Sequence, residues 1–245
     1  MVVLGAGLAL LVVAATDQIL PATTQYQAQM RLWLAGRATG ITAYVLVTVQ
    51  VAFGLILSHP VNQSTWRLSR RLFPWHENLW VFVLAFLAAH IVSIVLDPYA
   101  GVGVTGAVIP GLSTYRSWPI ALGTLALYAL LITGLTARYT KALPAGAWLR
   151  IHRVSIVIFG LAWLHGILAG SDTEWFALFY VVTGLAVVGA AAYRYWVSRR
   201  QRRTFSAELA DDGVPEPERA PVSRAATLAR ASRAAEAVTA RSDQP

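Results

Sequence analysis

The chain has 245 residues, 56% of them hydrophobic and 13% charged, with a net charge of +8 and no cysteine. Soluble domains carry about 25% charged residues, so this composition excludes an ordinary water-soluble fold and points to the bilayer. The lack of cysteine excludes structural disulfides, cysteine zinc sites, iron–sulfur ligation and covalent c-type haem attachment.

Six apolar segments follow one another, against about 20 residues needed to cross a bilayer. The first covers 2–16. No Lys or Arg precedes it, which favours a first transmembrane helix over a signal peptide cleaved near Val13-Ala14-Ala15. The second covers 40–58 and is followed by Arg67, Arg70 and Arg71. The third, 77–96, leads to a loop with Asp97 and Arg116. The fourth, 118–138, leads to Arg138, Lys141 and Arg150. The fifth, 150–169, leads to Asp172 and Glu174. The sixth, 175–196, runs into Arg199, Arg200, Arg202 and Arg203. The three strongly basic regions belong on the cytoplasmic side, so both termini are expected inside. The same placement of the arginines makes nucleic acid a poor partner for the +8 charge.

The expected fold is therefore all-α: an integral membrane bundle of six transmembrane helices, multi-pass in the cell membrane. Residues 1–34 would supply the first helix and an outer loop, and 35–197 the functional domain. Residues 198–245 are rich in Ala, Arg, Glu, Pro and Ser and are expected to form a disordered cytoplasmic tail, with a weak helix over 222–241 as the alternative.

Four of the five histidines fall in two pairs. His76 and His90 lie 14 residues apart on the third segment, and His152 and His165 lie 13 apart on the fifth. Polar groups inside a membrane are expensive and need a reason. Both segments run from inside to outside, so His76 and His152 share one level, and His90 and His165 share another about 20 Å away. Two facing imidazoles at one level can fill both axial positions of a haem iron; cysteine is absent, and the only methionines, Met1 and Met30, lie outside both segments. A 14-residue spacing brings two side chains to within about 40° on an ideal helix, whereas 13 leaves them about 140° apart. A single histidine more often hydrogen-bonds a neighbouring helix; two pairs at matched depths favour ligation. His59, before Pro60, reads as an interfacial residue.

This pattern resembles the ferric reductase-like transmembrane domain. Gly36-Arg37-Ala38-Thr39-Gly40 is similar to its Arg-x-x-Gly start of the second helix, and Leu149-Arg150-Ile151-His152-Arg153 to its basic start of the fifth. His165-Gly166, Gly170-Ser171-Asp172, Asp97-Pro98-Tyr99 and Ser113-Thr114-Tyr115-Arg116 are similar to stand-alone bacterial members. The resemblance covers about 35–196. It implies haem b, two copies expected and one possible. His76 and His152 would ligate the inner iron, and His90 and His165 the outer. It also implies Arg37 beside the outer haem propionates and Arg153, with Arg150, beside the inner ones. Nothing after 196 matches the family's flavin and nicotinamide domain. The resemblance thus implies an electron-transfer subunit of an oxidoreductase, with a separate donor (a flavoprotein or a quinol) and an outside acceptor.

Other readings stay open on sequence alone: a histidine-based metal or proton transporter, or a haem-free structural membrane subunit. Gly101-Val-Gly103-Val-Thr-Gly106 fits G-x-G-x-x-G but sits between membrane segments with no βαβ unit, and reads as a flexible loop. Gly36-x-x-x-Gly40 and Gly166-x-x-x-Gly170 read as close-packing motifs. Trp75, Trp80, Trp118, Trp175 and Trp196 read as interfacial belts.

Overall fold

The computed structural model describes residue 14 and residues 23–60, 67–144, 146–171 and 173–211. These residues are helical, without strands among them. The apolar segment 2–16, apart from Ala14, and the stretch 212–245 lie outside the described residues.

Helix α1 (Gln25–Leu57) starts where Thr24 caps it, its side chain accepting from the Gln27 amide at 3.2 Å. Residues 25–34, expected as outer loop, are thus already helical. Helix α2 (Arg67–Leu96) carries Pro74 inside it, seven residues from the start. The missing amide of Pro74 is accommodated near the helix end, and Asn78 Nδ2 donates to the Pro74 carbonyl at 2.7 Å. The glycine-rich loop is not wholly flexible, because Gly103–Val108 form a short helix, α3. Helix α4 (Ser117–Arg138) follows Arg116, which has a left-handed backbone with φ 39°. Its guanidinium donates to the Leu168 carbonyl at 2.7 Å, tying this turn to another helix end.

The fifth segment is split. Helix α5 (Ala147–His152) ends, and α6 (Ser155–Ala169) begins after the two intervening residues Arg153 and Val154. Helix α7 (Thr173–Asp211) continues well past residue 196. Among the described residues, five helical stretches are long and apolar enough to cross a membrane: Gln25–Leu57, Leu68–Leu96, Ser117–Arg138, Ala147–Ala169 and Thr173–Gln201. Their large apolar side chains face outward in numbers no soluble fold would tolerate, among them Val92, Ile132, Val157 and Leu178. Hydrocarbon chains are the solvent that fits such a surface.

The chain divides into two compact units, Met1–Trp196 and Val197–Pro245. In the second, the described residues are helical up to Asp211. The core of the first is aromatic and aliphatic: Tyr44, Val47, Val51, Val83, Phe159, Tyr180 and Val187. Tyr44 sits at its centre. Its ring stacks on Phe159 with centroids 6.1 Å apart and meets Tyr180 at 5.3 Å and Phe179 at 5.7 Å. Its hydroxyl shares a 2.6 Å hydrogen bond with Thr183.

The Tyr44 contacts separate into packing and hydrogen-bonding parts. Tyr44→Phe is expected to lower the unfolding free energy in detergent by about 0.6 kcal/mol, the typical worth of such a bond between membrane helices. Tyr44→Ala is expected to lower it by about 3 kcal/mol, because the ring contacts vanish as well.

Candidate functional site

The four membrane histidines meet in two pairs. The His76 and His152 rings have centroids 6.0 Å apart at an interplanar angle of 85°. The His90 and His165 rings are 6.4 Å apart at 76°. Along α2 the two levels are separated by about 21 Å. His59 joins neither pair and stacks on Tyr193 at 5.6 Å.

A break in the fifth segment reduces the angular offset between its two histidines. Arg153 and Val154 have ψ of −18° and −13°, flatter than a regular α-helix. Val154 N–H donates to the Ile151 carbonyl at 2.9 Å, and Val157 N–H to the Val154 carbonyl at 2.8 Å. Bonds three residues back wind the chain about 120° per residue rather than about 100°. Together with the split into α5 and α6, this overwinding lets both histidines face α2.

The outer level is held by backbone. His90 Nδ1 lies 2.6 Å from the Gly36 carbonyl, and His165 Nδ1 lies 2.7 Å from the Pro119 carbonyl. A carbonyl only accepts, so each Nδ1 carries the proton and each Nε2 keeps its lone pair. Metal-ligating histidines use this arrangement to fix ring orientation. Each ring also needs a glycine behind it. A Cβ at Gly40 would lie 2.8 Å from His90 Nδ1, and one at Gly123 would lie 2.8 Å from His165 Nδ1 and Cε1. Gly40 was legible as a packing glycine; Gly123 and Pro119 were not singled out. The available signal was a lone glycine inside an apolar span, set against a histidine on another.

The inner level differs. Nδ1 of His76 and Nδ1 of His152 are buried without a hydrogen-bond partner. Gln50 Nε2 donates to the His76 carbonyl at 2.9 Å, joining α1 to α2 here. The Trp148 ring lies 5.8 Å from that of His152.

A cavity of about 220 Å³ opens around the outer pair. His90, His165, Gly40 and Gly123 line it, and so does Arg37. Arg37 is half-buried, whereas Arg150 and Arg153 are exposed, on either side of His152 in sequence.

These residues fit a haem. Two axial metal–nitrogen bonds of about 2 Å each, plus about 1 Å from each nitrogen to its ring centre, put facing imidazole centroids about 6 Å apart. Both pairs meet that spacing. Among the described residues, no three His, Cys, Asp or Glu side chains gather into one cluster. Each pair brings two imidazole rings together. A bare zinc site needs three or four protein ligands.

The glycines can be tested without any cofactor. Gly123→Ala and Gly40→Ala are each expected to lower the unfolding free energy in detergent by about 1–3 kcal/mol, because the hydrogen-bonded ring cannot retreat. Gly160→Ala, where nothing lies within 4 Å of the added Cβ, is expected to be neutral or slightly stabilising. Equal effects at all three positions would remove the cradle from the account. No family model, curated protein or solved structure matches this chain, so the site is defined by its own geometry.

Proposed function

We propose that this protein is a transmembrane b-type cytochrome that carries electrons between the two faces of the membrane. The observation that supports this most is the pair of facing imidazole couples, at haem-compatible spacing and about 21 Å apart along α2. His76 and His152 are the proposed ligands of the inner haem, and His90 and His165 those of the outer. Bound haem supplies a one-electron centre at each level. With both axial positions taken by protein, neither iron has an open site for substrate, which suits electron transfer.

The chain's own residues do the rest. The Gly36 and Pro119 carbonyls hold the outer imidazoles in one tautomer and orientation. Arg37, in the outer cavity, is the cation proposed to meet haem propionates there; Arg153 and Arg150 are proposed for the inner haem. The apolar core around Tyr44 keeps water away from the region between the levels and so restrains the reorganisation that accompanies electron transfer. The electron donor is a separate flavoprotein or a membrane quinol, and the acceptor lies outside: ferric iron, oxygen or a partner reductase. The basic loops support the proposed placement of His76 and His152 at the cytoplasmic face of the cell membrane.

The purified protein, made in a haem-replete host and reduced with dithionite, is expected to show a b-type absorption spectrum and about two haems per chain. His90→Ala and His76→Ala should each leave one. A colourless wild-type preparation sinks the proposal. Orientation is checked separately, because the chain has no cysteine of its own. Thr114→Cys should react with an impermeant thiol reagent on intact cells, and Lys141→Cys only after permeabilisation. The opposite labelling reverses the direction assigned to the haems.

A further inference from the structure

We propose that the main-chain carbonyl of Gln50, laid open by Gly54, is the hydrogen-bond acceptor that fixes the His76 ring, as a third copy of the device that holds His90 and His165. This rests on the haem reading above and assigns Gln50 and Gly54 as positioning residues.

Two copies are complete. His90 Nδ1 bonds the Gly36 carbonyl, and Gly40 lies four residues on. His165 Nδ1 bonds the Pro119 carbonyl, and Gly123 lies four residues on. The interval of four has a physical cause. The carbonyl of residue i already accepts from the amide of residue i+4, and Cα–Cβ bonds tilt toward the helix N-terminus. A side chain at i+4 therefore overhangs that carbonyl. Glycine uncovers its second lone pair, which a donor on a neighbouring helix can then reach.

His76 meets the same two positions on α1. Gly54 is four residues after Gln50. The His76 Cε1 lies 3.4 Å from where a Gly54 Cβ would stand. The His76 Nδ1 is buried on this side without a hydrogen-bond partner. The register agrees: Gly40 and Gly54 are 14 residues apart on α1, and His90 and His76 are 14 apart on α2. The helices run antiparallel, so one spacing matches the other. Ligation through Nε2 leaves the proton on Nδ1, and a proton there needs an acceptor inside the membrane.

The test uses the full-length, haem-loaded protein and compares Gly54→Ala with Gly160→Ala and Gln50→Leu. A Cβ at Gly54 meets only ordinary contacts in this structure, so Gly54→Ala is expected to assemble. It should shift the low-spin electron paramagnetic resonance signal and midpoint potential of one haem, leave the other unchanged, and release that haem about tenfold more readily. Gly160→Ala should match wild type. If Gly54→Ala also matches wild type, the proposal is overturned. If Gln50→Leu moves the signal and Gly54→Ala does not, the acceptor is the Gln50 side-chain oxygen, and the proposal is again overturned. Nitrogen-15 labelling of the wild-type histidines reads the bond independently of any variant: a hydrogen-bonded Nδ1–H on His76 supports it, and an unbonded one overturns it. A haem-free wild-type protein defeats the underlying reading, and this inference with it, before any variant is compared.

Discussion

An imidazole buried in a membrane protein must give its N–H to something, and the surrounding helices have already used their carbonyls on themselves. His90 and His165 solve this by borrowing a second lone pair from the Gly36 and Pro119 carbonyls. That constraint organises the outer half of the bundle. It demands Gly40 and Gly123, whose missing side chains let the rings approach. It brings α1 close to α2 and α4 close to α6. It also chooses the nitrogen that remains available, since a proton held on Nδ1 leaves Nε2 directed away from the carbonyl. Ring position, tautomer and helix spacing follow from the same two hydrogen bonds.

Between the two histidine levels, the core is built from rings rather than small residues. Tyr44 stacks on Phe159 and meets Phe179 and Tyr180 edge to face or tilted, and Phe179 and Tyr180 are tilted on each other. Tyr44 and Thr183 satisfy each other's hydroxyls, so the layer needs no water to complete it. At one end, Gln50 joins α1 to the His76 carbonyl. At the other, Arg116 reaches the Leu168 carbonyl, three residues past His165, from a strained left-handed turn. Both histidine levels are therefore bracketed by polar links between helices.

Much of this was legible in the residues. Apolar length pointed to the five helices, among the described residues, that are long and apolar enough to cross a membrane, and the histidine spacing pointed to the two pairs; the first of the six expected segments, 2–16, lies outside the described residues apart from Ala14. Boundaries were poorer. Residues 25–34 and 67–76 are polar enough to read as loop, yet Thr24 starts a helix and Pro74 does not stop one. Composition measures what lipid would accept, whereas a helix continues into water as long as its backbone bonds are met. The break at Arg153 and Val154 was not legible either, because neither residue is a usual helix breaker. The supporting glycines were hidden for a different reason: a residue that acts by having no side chain leaves little pattern to detect.

The split between α5 and α6 bears on how such proteins should be compared with one another. An unbroken helix ties ligand spacing to a rigid ruler, and removing one residue turns a ligand out of the site. A segment with a tightened turn can absorb that loss and still aim both histidines inward. Thirteen and fourteen residues are then equivalent solutions on this segment. A search pattern written with one fixed interval would separate proteins whose paired-histidine geometry is the same. The interval on α2, where no break intervenes between His76 and His90, is the safer yardstick.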